Sequence, residues 1–281
     1  MNNHNKPANK SLRLLLNTLY EKYHQRKYVE SDPLQFLYAY SNTADREIAG
    51  FICAGLAYGR VSQIILSLRS VFTKIGTSPF LFLSDTAENQ IYALFHDFKH
   101  RFTTGAELAQ LLCALKRIIM RYGSIQSGFL RHYTSSDETI LPALCGLIGE
   151  LDCRGNSLVA EPSKKSACKR LNLFMRWMVR HDNVDPGGWD SVSPDHLIVP
   201  LDTHMHKLSR ALGFTSRTSA DMSTALEITR AFRDFEPADP VKYDFALTRL
   251  GIRNEDEYRH ILGTKNGLVT KHSVRQMVTV D

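Results

Sequence analysis

Apolar residues recur at helical spacing along almost the entire chain, which leaves little room for any fold but a helical one. In SLRLLLNTLYEKYHQ, residues 11–25, Leu12, Leu15, Leu16 and Leu19 stand at i, i+3, i+4 and i+7, so they line one side of a helix. DREIAGFICAGLAYGRVSQIILSLRSVFTKIG, 45–76, reads as two helices joined near Tyr58, Gly59 and Arg60. AELAQLLCALKRIIMRYG, 106–123, keeps the same period and ends on Gly123, a residue suited to the left-handed close of a helix. Further helical stretches lie near 137–151, 164–181, 203–212, 220–233 and 239–250. No apolar–polar alternation runs long enough to make a strand. The spacing predicts an all-α protein with more than half of its residues in helices and no sheet of three or more strands.

At 281 residues, with 43% hydrophobic and 23% charged, the chain can bury a full core. It reads as one helical unit over 1–281, with lobes at roughly 30–160 and 161–252, residues 1–29 packing across them, and a basic C-terminal tail over 253–281. No apolar run is long enough to span a bilayer. The opening MNNHNKPANK lacks the apolar centre of a secretion signal, so a cytoplasmic monomer is expected. Cys53, Cys113, Cys145, Cys153 and Cys168 are scattered without a C-x-x-C pair. That argues against a zinc or iron–sulfur site and suits reduced thiols, so no cofactor is expected. The formal net charge of +6 leans towards a polyanionic partner.

Two stretches depart from plain core helix. SACKRLNLFMRWMVRHD, 166–182, is apolar around most of its circumference, through Leu171, Leu173, Phe174, Met175, Trp177, Met178 and Val179. Yet Lys165, Lys169, Asn172, Arg176 and Arg180 follow one another at steps of three or four and form one narrow stripe. Such a stripe on an otherwise buried helix faces solvent with snorkelling stems, meets carboxylates, or lines a cleft. Trp177 is either a core residue or a ring on which a bound base stacks.

The second stretch is IVPLDTHMHKLSRALGFT, 198–215. Asp202 stands where a helix begins and Gly213 where it ends, so Asp202 can serve as an N-cap. A carboxylate in that place can equally stabilise a developing cation. Local sequence leaves both readings open. Asp202 and His206, at i and i+4, come nearest to a metal pair, but His204 points elsewhere and no Glu or Cys companion is in evidence, so no metal is expected. The G-x-S-x-G elbow of a Ser–His–Asp hydrolase is absent from the sequence.

In an all-α chain of this size, PLDTHMHKLSRALGF resembles the helix-hairpin-helix DNA glycosylase superfamily, endonuclease III and its relatives. There V-D-T-H is followed by a basic helix with an R-x-x-x-R-L-G-like end and preceded by a lysine. Asp202, Thr203 and His204 take the D-T-H positions, and Arg210, Leu212 and Gly213 the helix end. AYGRV (57–61), ACKRLNLFMRWMVR (167–180), PLDTH (200–204) and DPVKYDFALTRLGI (239–252) are similar to a bacterial family of uncharacterised proteins. That family is itself similar to the archaeal 8-oxoguanine DNA glycosylase branch. The chain departs from the superfamily in lacking an L-P-G-V-G-x-K hairpin, whose backbone N–H groups grip a DNA phosphate. HDNVDPGG (181–188) stands where the usual lysine falls. Lys169 is the nearest usable lysine, an arrangement that resembles the archaeal branch, and Lys165 is the fallback.

The resemblance implies a two-lobed glycosylase-type fold with an atypical hairpin. It implies base excision from double-stranded DNA carrying a damaged base such as 8-oxoguanine, with or without lyase activity, at the nucleoid. The damaged nucleotide would rotate into a pocket between the lobes. Lys169, activated by burial and by Arg170, would attack the anomeric carbon and form a Schiff base, while Asp202 would stabilise the oxocarbenium-like charge. Arg60 would fill the gap left by the base. Lys165, Asn172, Arg176, Arg180, His204, Lys207 and Arg210 would contribute to the DNA-binding face. The competing reading is a non-catalytic DNA-binding protein with the same fold. A separation within about 4 Å between Lys169 Nζ and an Asp202 oxygen favours the enzyme.

Overall fold

The computed structural model describes residues 6–164 and 166–253, together with 259, 261 and 262. Lys165 and nearly all of the segment read as a basic tail fall outside the described residues. Helix makes up 63% of what is described. Strand amounts to one antiparallel hairpin, β1 (Lys99–His100) with β2 (Thr103–Thr104). The all-α expectation stands. No helix among the described residues is long and apolar enough to cross a membrane.

Helix α1 (Lys6–Tyr23) turns Leu12, Leu15, Leu16 and Leu19 into the core. Two 3-10 turns, Arg26–Ser31 and Pro33–Ala39, lead to α2 (Thr43–Leu56), which the Asn42 side chain caps by accepting the Ala44 N–H at 2.8 Å. Helix α2 is buried continuously from Glu47 to Leu56, so it runs through the centre of the fold. After the Ala57–Arg60 junction come α3 (Val61–Ile75), α4 (Pro79–Asp85), α5 (Glu88–Phe95), α6 (Gly105–Tyr122), α7 (Ile125–Leu130) and α8 (Leu141–Leu151). A reciprocal Thr104–Glu107 capping box opens α6, and Gly123 at φ +84° closes it.

Helix α9 (Lys169–Val179) packs on α2, with Phe174 and Phe51 ring centroids 5.0 Å apart. After α9 come α10 (Thr203–Ala211), α11 (Met222–Arg233) and α12 (Asp244–Arg253). Helix α10 packs on α12, and α12 packs on α1. The contact with α1 is reinforced from both sides: Arg13 donates to the carbonyls of Asp234 and Phe235, and the Tyr243 hydroxyl donates to Asn17 Oδ1 at 2.7 Å.

Two helices begin later than their periodicity suggests. Before α9, Cys168 takes a left-handed backbone at φ +48°. Before α12, Asp239–Tyr243 forms overlapping turns, with Lys242 N–H on Asp239 O and Asp244 N–H on Val241 O. Both irregularities set the position of charged side chains.

Candidate active site

The buried run Ile198, Val199 and Leu201 delivers the chain to α10. At its N-cap Asp202 is extended (φ −114°, ψ −176°) and its Oδ1 accepts the Met205 N–H at 2.9 Å. Its Oδ2 lies 3.3 Å from Lys169 Nζ, with the lysine side chain 34% and the aspartate 15% exposed. Cap and ion pair coexist, one on each oxygen. Lys169 is the first residue of α9, directly after the left-handed Cys168, whose N–H donates to Ser166 Oγ at 3.2 Å. The distance between Lys169 and Asp202 meets the criterion set from the sequence.

The pair sits on the wall of a cavity of about 450 Å³, a size that takes a small organic ligand. Helix α9 contributes Lys169, Leu173, Arg176 and Trp177, one face at i, i+4, i+7 and i+8. Helix α12 faces it with Asp244, Phe245, Thr248, Arg249 and Ile252. The start of α10 adds Asp202 and His204, and the α2–α3 junction adds Tyr58, Gly59 and Arg60. Gly251 brings α10 and α12 together, because a Cβ there would fall 2.9 Å from His204 Cβ.

The cavity wall is aromatic in three places, Tyr58, Trp177 and Phe245, and polar in a few. Among the lining side chains, Trp177 Nε1, Asp244 Oδ1 and Arg249 Nε are buried without a protein partner. Burial pushes the Asp244 carboxyl up to about 6, with Arg176 pulling the other way. Trp177, 1% exposed, is both core and cavity wall.

The α9 stripe corrects one expectation. Arg176 and Arg180 are 2% and 4% exposed and meet carboxylates rather than DNA. Arg176 pairs with Asp185 at 3.1 Å and with Asp244, while Arg180 reaches Asp185 at 2.5 Å, Asp182 at 2.8 Å and Asp239 at 2.9 Å. Two guanidinium groups removed from water need such partners. Asn172, 1% exposed, donates to Ala167 O at 3.1 Å and is equally withdrawn from a phosphate backbone. Arg170 does not reach Lys169 as an activator: its guanidinium is fixed on the carbonyls of Gly55 and Ser157 at 2.6 and 2.8 Å. Lys165 lies outside the described residues.

The remaining expected contacts are placed differently. Arg60 is exposed at the cavity mouth, and Lys207 and Arg210 are exposed on α10. His204 lines the cavity, whereas His206 Nε2 is bonded to Arg217 O at 3.0 Å. Asp32, Asp244, Phe245 and Arg249 escape the sequence reading, although Asp32 and Arg249 pair across the cavity wall. For the α12 residues the signal lay in DPVKYDFALTRLGI, where charged residues share a helix face with Phe245 and Ile252; Asp32, far away in the sequence, had none there.

A family model described as a protein of unknown function (DUF2400) matches residues 32–253, most of the chain. The chain belongs to that DUF2400 family. The matched span takes in every residue that lines the cavity and leaves out α1. No curated protein and no solved structure matches the chain.

Proposed function

We propose that the protein is a DNA base-excision glycosylase acting through Lys169. The supporting observation is the 3.3 Å approach of Lys169 Nζ to Asp202 Oδ2 on the wall of an aromatic cavity. In this reading a damaged nucleotide is turned out of the duplex into the cavity, between Tyr58, Trp177 and Phe245. Asp202 Oδ2 takes a proton from the Lys169 ammonium. The amine nitrogen then bonds to C1′ as the glycosidic bond breaks and the base departs with the bonding electrons. Asp202 passes that proton to the departing base, and the carboxylate so restored faces the positive charge that builds on the sugar. Opening of the sugar ring converts the adduct to a Schiff base, from which strand cleavage can follow. Arg60, Lys207 and Arg210, exposed around this region, suit contacts to phosphates.

Borohydride reduction tests the reading, because it converts the Schiff base to a stable amine. A duplex carrying 8-oxoguanine or an abasic site should give a covalent protein–DNA adduct. Lys169→Gln should abolish the adduct and leave duplex affinity within a few-fold, since one charge is a small part of the total electrostatic contact. Loss of the adduct in Lys165→Gln and not in Lys169→Gln would move the nucleophile. Tight, salt-sensitive binding without any adduct would leave the non-catalytic DNA-binding protein.

A further inference from the structure

The β1–β2 hairpin carries a large apolar side chain into solvent. Phe102, at its tip, is 63% exposed. It is not a loose loop residue, because its ring stacks on Tyr58 with centroids 4.9 Å apart and planes 25° apart. Tyr58 belongs to the cavity wall, so Phe102 stands one ring beyond the mouth.

The hairpin is braced from beneath. The Tyr58 hydroxyl lies 2.9 Å from His100 O and 2.5 Å from Thr103 Oγ1, which in turn is 2.6 Å from Ser157 Oγ. His100, fully buried, is bonded through Nε2 to the Tyr58 carbonyl at 3.0 Å and through Nδ1 to Ser67 Oγ at 2.8 Å. The carbonyl can only accept, so Nε2 carries the proton and Nδ1 accepts from the serine. Arg101 beside Phe102 takes a left-handed backbone, φ +56°, and lies across Gly59, where a Cβ would come within 2.8 Å of Arg101 Cδ. A left-handed residue at the tip of a hairpin whose neighbours are braced by this many bonds, at a cavity rim, marks a built feature.

The charges around the ring complete it. Arg60, Lys99 and Arg101 are exposed, and among the described residues none of the three has a carboxylate partner. This contrasts with Arg176, Arg180 and Arg249, each of which is paired. An exposed ring among unpaired cations suits a nucleic acid, with phosphates for the cations and a base for the ring.

We infer that Phe102 is a stacking ring for the base left unpaired in the opposite strand when a nucleotide is drawn into the cavity. The inference rests on the base-excision reading of that cavity and adds a residue and a surface to it. Apolar side chains entering an opened base step are a general means of holding distorted duplex DNA.

The test uses a duplex with 2-aminopurine opposite a tetrahydrofuran abasic analogue, and the full-length protein. The wild type should change the 2-aminopurine fluorescence on binding. Phe102→Ala should remove that change and weaken binding to the gapped duplex by roughly 5- to 150-fold, the range for one lost base–aromatic stack. Its affinity for intact duplex should stay within about twofold, and Phe102→Trp should restore the gapped-duplex affinity. Borohydride trapping of the wild type on an ordinary abasic duplex reports on the Lys169 reading separately. A Phe102→Ala protein that keeps both the fluorescence change and the gapped-duplex affinity would overturn the stacking role and leave Lys169 chemistry standing. Failure of the wild type to bind any duplex would overturn both readings together.

Discussion

The two oxygens of Asp202 answer to different demands, and a single substitution separates them. Oδ1 holds the first turn of α10 through Met205 N–H, and Oδ2 faces Lys169. Asn caps a helix as well as Asp does, and a partly exposed lysine–carboxylate pair adds at most about 1 kcal/mol to stability. Asp202→Asn should therefore melt within about 1–2 °C of the wild type. Its single-turnover excision should be slower on the order of 10²–10³-fold, the scale for removing one preorganised electrostatic contact. Thermal melting together with excision kinetics checks both halves. Unchanged excision would reduce Asp202 to a cap.

At the level of the element, what matters is how α10 is held against α12. Gly251 is interior to α12, where Ala would ordinarily gain up to about 1 kcal/mol in helix propensity. Here the added methyl meets His204 at Cβ, Nδ1 and Cγ, between 2.9 and 3.1 Å, and a Cβ cannot swing aside as a chain end can. The start of α10 has to move, and Asp202 moves with it. Gly251→Ala should depress excision more than it depresses the melting temperature, and a more stable variant with full activity would refute the coupling. The same scale explains what could be read from sequence. Helices with three or more turns show their period, so α2, α3, α6 and the α10 start with its Asp202 were legible. Helices α4, α5 and α7 have too few residues to show one. The direction of the α9 stripe was not legible, because it depends on Asp239 and Asp244, which reach Arg180 and Arg176 from another helix's approach. Phe102 was equally hidden, since nothing local distinguishes a braced hairpin tip from a solvated one.

Across the whole molecule the buried charges set the response to pH. Glu47 on α2 is 1% exposed and accepts the N–H groups of Ile125 and Gln126 at 2.6 and 3.0 Å and the Trp189 indole N–H at 3.0 Å. Burial outweighs those donors and pushes its carboxyl up from 4.5 to about 7. The folded state thus holds this proton more tightly than the unfolded chain. The contribution is fully present below about 4.5 and disappears as pH rises to about 7, a change of roughly 3 kcal/mol. Asp244 acts in the same sense from 3.8 to about 6, whereas Asp182 and Asp221, held low in the folded state, act in the opposite sense at more acid pH. Denaturant titrations of wild type and Glu47→Gln between pH 4.5 and 7.5 should show the wild type losing stability relative to the variant as pH rises. Parallel curves would refute it. The clasp between α1 and the region from Asp234 to α12 has a consequence of another kind, for the timing of synthesis. When the leucine face of α1 leaves the ribosome, α12, its helical partner, does not yet exist, and the intervening residues must be made first. The leucine face of α1 therefore waits for α12 through the synthesis of the residues between them, and closing this contact is a late step among the described elements.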